Sequence, residues 1–350
     1  MTSLPIPPSP VRGGGGAVIR DGGGHAALPP SVGVRRRHLP RRRGRVVSDG
    51  RHLAGAFAAM LFVGASWGAN VPVTKVMLGH FDLMPMAALR TTAATAALAV
   101  LLWLVEGRRA LRIDLRFGRF LALGFMMGGF FTVYALGIYL SNPISAALVG
   151  VAGPLVSAAT VWLVTRQAFD PGFGTALSLT LIGGLILALG SLFGRDATFR
   201  GGEIIVLLSN GLWTLYSIKA QAWFDRASQL HRAYVASLSA LGWLILVAAA
   251  LIALGWSKQP FGVGDSWVWT QLIVTAVLAS GMGGYFWNVG AARLGVAIAS
   301  LWVNLVPFFA VLWSMAYGFV PNAYQIVGGL VALSGVVYMQ VRKLRTPIAA

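Results

Sequence analysis

About ten times along the chain, an apolar stretch of roughly 20 residues is followed by a short polar segment. A helix of about 20 residues crosses the roughly 30 Å hydrocarbon core of a bilayer. Lipid offers no partners to unpaired backbone groups, so such segments must be helical, and the ten-residue alternation of a membrane β-barrel is not seen. The sequence therefore predicts an all-α membrane protein with ten transmembrane helices. The predicted spans are 54–78, 84–105, 118–139, 144–164, 174–193, 203–222, 233–256, 268–290, 296–319 and 323–341.

Composition agrees with a lipid bilayer as the main environment of the chain. Hydrophobic residues make up 57% of the sequence and charged residues only 11%, whereas a soluble domain carries about 25% charged residues. A net charge of +18 could indicate nucleic-acid binding. Most of the cations lie in the N-terminal tail and in short gaps between apolar stretches, however, so we expect no nucleic-acid partner.

The positions of Lys and Arg predict the orientation, because positively charged loops resist translocation. With the N-terminus inside, the cytoplasmic loops and C-terminal tail hold twelve cations and the opposite loops hold three. The sequence thus predicts a multi-pass protein of the cell (inner) membrane with both termini cytoplasmic. The twelve are Arg108, Arg109, Arg112, Arg116, Arg119, Arg166, Arg226, Arg232, Arg293, Arg342, Lys343 and Arg345, against Arg195, Arg200 and Lys258.

Residues 1–52 differ from the rest of the chain. They contain ten of the 28 Lys and Arg residues and seven of the sixteen prolines, and they lack apolar periodicity. Such a segment cannot bury enough apolar surface to offset the entropy of ordering. We predict a disordered basic N-terminal tail, whose function the sequence leaves open.

An internal repeat connects the two halves of the predicted bundle. The stretch Tyr134–Pro154 aligns without gaps on Trp287–Pro307, and Trp67 pairs approximately with Trp213. Further matches in order are Gly128 with Gly281, Gly137 with Gly290, Ala146 with Ala299, Leu148 with Leu301, Gly183-Gly184-Leu185 with Gly328-Gly329-Leu330, and Gly190 with Gly335.

A repeat of five helices has a direct topological consequence. Since five is odd, the second copy enters the membrane in the opposite direction, so the repeats over 54–193 and 203–341 are predicted to be inverted. Inverted repeats are typical of alternating-access transporters, which bind their substrate near the midplane between the two halves.

The chain also resembles a known family, the EamA-type members of the drug/metabolite transporter superfamily. The resemblance covers about residues 54–341. It rests on Trp67-Gly68-Ala69-Asn70, Lys75, Pro85, Arg90, the twin segments ending in Pro154 and Pro307, and the glycine pairs that close each half. It implies two EamA domains, a plasma-membrane location, and transport, often export, of amino acids or other small metabolites. The substrate itself stays open.

Ionisable groups inside a membrane are costly and therefore candidate functional residues. Apart from Arg119 and Glu203 at the very ends of their spans, only Lys75, Arg90 and Lys219 lie within the predicted spans. Lys75, near the outer end of the first helix, could bind a carboxylate or extend to the outer headgroups. Arg90 is expected to pair internally or to line a wet cavity. Lys219 is expected to anchor its helix at the cytoplasmic interface.

Neutral polar and aromatic residues at membrane depth complete the predicted site. A pocket for a zwitterionic or aromatic metabolite needs flat apolar walls and a few orienting polar groups, although amides also join helices and aromatic residues also form interfacial belts. The predicted substrate-binding residues are Trp67, Asn70, Lys75, Arg90, Tyr134, Asn210, Trp213, Tyr216, Tyr285, Asn288, Trp302 and Asn304. Pro154 and Pro307 are predicted to kink their helices and to serve as hinges or packing features.

Motifs of other mechanisms are absent from the sequence. There is no phosphate-binding GxxxxGK[ST], no Gly-x-Ser-x-Gly and no metal-ligand spacing among the five histidines, so we expect neither an enzyme nor a metal or cofactor. No carboxylate falls in the middle of a span, which disfavours proton or sodium coupling through a buried acid. The alternatives to a small-solute transporter are a membrane enzyme or subunit acting on lipid-linked substrates, a lipid-precursor translocator, and a channel.

Overall fold

The computed structural model describes residues 43–141, 149–190, 200–224, 227–258, 260, 263–316, 318 and 320–345, with side chains from Leu53 onward. These residues form α-helices joined by short connections. The helices are α1 (Arg43–Met77), α2 (Leu83–Glu106), α3 (Phe117–Tyr139), α4 (Gly153–Thr165), α5 (Phe173–Gly190), α6 (Gly202–Trp223), α7 (Gln229–Ala253), α8 (Ser266–Leu294), α9 (Val296–Met315) and α10 (Ala323–Arg345).

The described residues thus form ten helices and no strand, and eight of these helices are long and apolar enough to cross a membrane. The other two are α4, with 13 residues, and α6, with 22 residues. The expectation of an all-α, multi-pass membrane protein is therefore confirmed. The count of ten spans and their inverted arrangement remain predictions.

Two helix boundaries differ from the sequence-based expectation. Helix α1 begins at Arg43, so residues 43–52 of the predicted tail are helical, while residues 1–42 lie outside the described residues. Helix α4 begins at Gly153, after two helical residues at 149–150 and a turn at 151–152, so the span predicted over 144–164 is interrupted there. Residues 142–148, which carry part of the predicted repeat, also lie outside the described residues.

Hydrogen bonds between connections identify two faces of the bundle. The ammonium of Lys343 lies 3.2 Å from an Asp170 carboxylate oxygen and 3.0 Å from the carbonyl of Leu294, which brings the α4–α5 loop and the ends of α8 and α10 together. We call this the basic face, because the arginine-rich connection between α2 and α3 reaches it, where Arg119 lies over the Trp223 ring at the end of α6. On the opposite face, the Asp82 carboxylate accepts hydrogen bonds from the Ser257 hydroxyl at 3.1 Å and the Lys258 backbone N–H at 2.6 Å.

Helices α5 and α10 approach each other at their glycine pairs. A Cβ atom built on Gly183 would lie 2.6 Å from the carbonyl oxygen of Gly328, and a Cβ atom on Gly328 would lie 2.6 Å from the carbonyl oxygen of Gly183. Small residues permit this approach of two backbones in a membrane, where close packing rather than hydrophobic burial holds helices together.

Adding one methyl group at this contact is expected to destabilise the protein. Since the obstacle to Gly183→Ala is backbone, which cannot rotate away, we expect a loss in the range of about 1–3 kcal/mol typical of overpacking, or more. Thermal unfolding of the purified protein measures the effect. Gly242→Ala is the matched control, because no atom lies within 4 Å of a Cβ built on that helical glycine; equal loss in both variants would contradict the prediction.

Candidate functional site

Three tryptophans from three helices meet in the interior of the bundle. Trp67 of α1 stacks on Trp287 of α8 with ring centroids 5.7 Å apart, and its edge faces Trp213 of α6 at 5.6 Å. The third pair, Trp213 and Trp287, lies 5.5 Å apart. We call these three residues the tryptophan cluster. It joins a helix of the first predicted repeat to two helices of the second.

Hydrogen bonds fix the orientation of two of the three indoles. The Trp67 Nε1–H donates to the carbonyl of Ala279 at 2.9 Å, and the Trp287 Nε1–H donates to the hydroxyl of Ser217 at 2.9 Å. Ala279 lies in a π-helical stretch, Ala276–Met282, in the middle of α8. Stretches of π-helix are rare overall, but they occur frequently at functional sites. Their wider turn frees backbone groups from their usual partners.

Further aromatic rings surround the tryptophan cluster. Phe130 of α3 and Tyr216 of α6 lie 5.3 Å and 5.1 Å from the Trp213 ring. Tyr134, one turn after Phe130, lies 5.8 Å from the Phe130 ring and is exposed at the bundle surface. The resulting surface offers flat apolar walls with few polar groups, the composition expected of a small-molecule site.

Arg90 of α2 is buried beside α1. Its guanidinium donates one hydrogen bond to the Asn70 side-chain oxygen and another, of 3.0 Å, to the Thr74 hydroxyl. Asn70 and Thr74 follow Trp67 by one and two turns of α1, so this network continues from the tryptophan cluster toward the opposite face. The prediction that Arg90 pairs internally agrees with this geometry.

A second polar network extends from the tryptophan cluster toward the basic face. The Asn288 side-chain amide donates to the Tyr216 hydroxyl at 3.1 Å. The Gln221 amide donates to the backbone and side-chain oxygens of Asn288 at 3.3 Å and 3.4 Å. Three helices, α6, α8 and α7, thus share one chain of hydrogen bonds, which ends at Arg232.

The sequence suggested that Arg232 lies in a loop, but the structure places it in a helix. It is the fourth residue of α7, its side chain is buried, and it donates to the side-chain oxygens of Gln221 and Gln229, the latter at 2.7 Å. A further hydrogen bond of 2.5 Å reaches the carbonyl of Phe224, the residue immediately after α6. The error arose because α7 begins at Gln229, four residues before the predicted boundary.

A cavity of about 320 Å³ opens at the basic face beside this network. Gln221 lines it, together with residues from the ends of α4 and α8 and the start of α9. The lining includes Val161, Thr165, Phe169, Leu294 and Val296. Gln221 therefore stands between the cavity on one side and the buried Arg232–Asn288 network on the other.

The remaining predicted site residues lie apart from the tryptophan cluster. Lys75 is exposed near the end of α1. Among the described residues, Asn210 donates only to carbonyls of its own helix, and Tyr285 packs on Phe286 and on the apolar cluster at the ends of α2 and α7. Asn304 donates to the carbonyl of Thr180 in α5 at 3.3 Å and so joins two helices, while Trp302 is buried in the main core.

The two predicted hinge prolines do not interrupt a continuous α-helix. Pro154 is the second residue of α4 and follows a turn at 151–152. Pro307 is the second residue of the second α-helical part of α9, Val306–Met315, which follows the 3-10 segment Trp302–Leu305. The first residues of a helix lack N–H partners in any case, so a proline is tolerated there. Both prolines thus follow a break in regular α-helix, and the predicted kink and hinge role stay predictions.

Two observations concern the histidines and carboxylates in the part of the chain that is described. No group of three or more His, Asp or Glu side chains lies close enough together there to hold a metal ion. Glu203 is fully buried in the first turn of α6, where its carboxylate accepts hydrogen bonds from the Arg200 backbone N–H at 3.2 and 3.3 Å.

The EamA-like transporter family matches the chain twice, over residues 54–195 and 200–340. The chain belongs to this family. The resemblance inferred from the sequence is thereby confirmed, and the two matches cover both halves of the EamA-type bundle.

Curated relatives of this EamA-like protein carry transporter names. "Uncharacterized transporter YyaM" of Bacillus subtilis (strain 168) is 23% identical over 273 residues, which are 77% of this chain and 88% of the relative. "Probable terminal-alkyne amino-acid exporter" of Streptantibioticus cattleyicolor is 24% identical over 297 residues, which are 83% and 95% of the two chains. Together with the family, these names indicate a membrane transporter rather than an enzyme.

A solved structure described as "Crystal structure of protein" has the same fold as this EamA-like chain. The TM-score is 0.66 at 18% identity, with 85% of this chain and 99% of the other covered. At this identity, the likeness establishes the fold alone.

Proposed function

We propose that the chain is a secondary transporter that exports a small metabolite, such as an amino acid or a related compound. Transport would proceed by alternating access between two inverted five-helix repeats, 54–193 and 203–341, in the cell (inner) membrane with both termini cytoplasmic. The family and the transporter names of the relatives support this proposal. The exporter name of one relative supports the substrate class and the direction.

The observation that carries the proposal is the tryptophan cluster. It brings Trp67 of one family match against Trp213 and Trp287 of the other. A site between two repeats is where alternating access requires the substrate to bind, because this region can be exposed to either side in turn. Asn70 and Arg90 on one side, and Tyr216 and Asn288 on the other, supply orienting polar groups.

Counterflow in proteoliposomes tests this function. The purified chain is reconstituted into vesicles preloaded with one unlabelled solute, and entry of the same labelled solute is measured for amino acids, nucleobases and aromatic metabolites. We expect saturable counterflow of at least one amino acid or related metabolite above protein-free vesicles. Lack of counterflow for every solute, or flipping of a fluorescent lipid instead, would contradict the proposal.

A further inference from the structure

Two buried guanidinium groups lie on the two sides of the tryptophan cluster. Arg90 is only 8% exposed and Arg232 only 4% exposed. Arg90 is seven residues into α2 from the opposite face, and Arg232 is three residues into α7 from the basic face. At 1.5 Å per residue, these positions are about 10 Å and about 5 Å along their helices.

Neither charge is balanced within the described part of the chain. Arg90 donates to an amide oxygen and a hydroxyl, and Arg232 donates to two amide oxygens and a backbone carbonyl. Among the described residues, no carboxylate lies within ion-pair distance of either guanidinium. Neutral dipoles orient a buried cation but do not cancel its charge, so an anion brought to it gains a strong interaction.

Each arginine also has one donor without a partner. The Nε–H groups of Arg90 and Arg232 make no hydrogen bond with any described residue, although both are shielded from solvent. The Nε–H and the adjacent Nη–H form the edge of a guanidinium that binds both oxygens of a carboxylate. Each of the two buried arginines therefore has an unused N–H donor on the edge that binds a carboxylate.

The two arginines occupy related places in the two halves. The offset of 146 that pairs Trp67 with Trp213 places Arg90 opposite Ala236, one helical turn after Arg232. In both halves, the guanidinium on the second helix donates to an amide on the first helix, Asn70 in α1 and Gln221 in α6. The same device thus occurs once toward each face.

We propose that Arg90 and Arg232 are two carboxylate-binding points on one permeation path, so that the transported solute is a small organic acid or zwitterion whose apolar body packs on the tryptophan cluster. This inference rests on the proposed transport function and specifies its substrate class. A carboxylate that enters the cavity at the basic face meets Gln221 first and Arg232 directly behind it. Arg90 receives the same group on the other side of the cluster.

Binding of a matched acid and amide tests the inference without requiring transport. Labelled phenylacetate and phenylacetamide have the same aromatic body, and only the acid carries a charge. With the full chain in lipid nanodiscs, we expect the acid to bind about tenfold more tightly or better, the factor that a hydrogen bond to a charged group supplies. Equal affinity for the two probes, or no binding of either above empty nanodiscs, would overturn the inference.

Variants separate the charge of Arg232 from its role in joining α6 to α7. Arg232→Gln is expected to reduce the acid preference about tenfold while binding of the amide is unchanged. Arg232→Lys keeps the charge and should retain part of the preference. Arg112→Gln removes an exposed arginine from the basic face and should leave the preference intact. Equal weakening of both probes in Arg232→Gln indicates a purely structural residue and overturns the inference.

Arg90→Gln should reduce the acid preference in the same way, and the double variant should abolish it. The two proposals fail separately. Suppose that the chain prefers the acid, that this preference disappears in Arg232→Gln, and that no solute shows counterflow. This result contradicts the transport function and supports the two arginines as carboxylate-binding residues. If the protein shows counterflow but binds the acid and the amide with equal affinity, transport is supported and the role of the two arginines in binding a carboxylate is overturned.

Discussion

The Trp67→Ala variant is expected to lose transport almost completely. Trp67 contacts both other members of the tryptophan cluster, and its indole N–H is bonded to the π-helical stretch of α8. Removing a central aromatic anchor of a binding site costs about 3 kcal/mol, which corresponds to about a hundredfold loss of affinity. Initial rates of counterflow in proteoliposomes, measured over a range of solute concentrations, give the effect.

Two further variants make this result specific. Trp67→Phe keeps a flat ring and loses only the hydrogen bond to Ala279, so we expect a smaller loss of about tenfold. Trp103→Ala is the matched control, because Trp103 is 53% exposed on the outer surface of the helix bundle. Full activity of Trp67→Ala, or equal loss in the Trp103 control, would rule out the tryptophan cluster as the solute site.

The second large effect concerns the stability of the Arg90 network. Asn70→Leu removes the amide oxygen that accepts from Arg90 and leaves the buried guanidinium with the Thr74 hydroxyl as its one side-chain partner among the described residues. Losing a hydrogen bond to a buried charged group costs about 1.5–3 kcal/mol, since the remaining charge stays in a poor environment. We expect the free energy of unfolding to fall by about this amount in Asn70→Leu.

The double variant gives the sharper result. In Asn70→Leu with Arg90→Met, both the charge and its partner are replaced by apolar groups, so much of the loss should be recovered. Denaturant unfolding in micelles measures the stability of Asn70→Leu, of Arg90→Met and of the double variant. Asn210→Leu is the control, because the Asn210 side chain bonds only to carbonyls of its own helix in the part of the chain that is described. A double variant as unstable as the sum of the two single ones would contradict this account.

Much of the fold was readable from the sequence because lipid imposes a simple rule on the chain. Apolar runs of membrane-spanning length must be helices, and the helices α2, α3 and α5 begin within one or two residues of the predicted spans. Residues 142–148 and 191–199 lie outside the described residues, so the predicted extents of the fourth and fifth spans are not decided over those ranges.

The site was only partly readable, because it depends on contacts between distant segments. Trp67, Trp213, Asn70 and Arg90 were predicted from their depth and chemistry, and the structure places them close to one another. Trp287 appeared only in the repeat alignment, and nothing in its local sequence distinguishes it from an interfacial tryptophan. Its contact with Trp67 depends on how α1 and α8 pack, which periodicity does not determine.

Arg232 was missed for a local reason that sequence rules could have corrected. Its helix begins at Gln229, and the preceding Ser228 accepts a hydrogen bond from the His231 backbone N–H at 3.0 Å. Serine is a preferred residue immediately before a helix. Reading Ser228 as the cap would have placed Arg232 inside α7, where a charged residue calls for explanation. Its partner Gln221 gave no such signal.

The backbone contact between α5 and α10 limits which parts of the molecule can change shape. Two helices whose main chains touch at Gly183 and Gly328 have no side-chain layer between them to repack, so they cannot slide past each other by small rotamer adjustments. We therefore expect α5 and α10 to move as a single rigid body. Any rearrangement that opens the tryptophan cluster to one side and then to the other therefore has to occur among the remaining helices, around this pair as a fixed support.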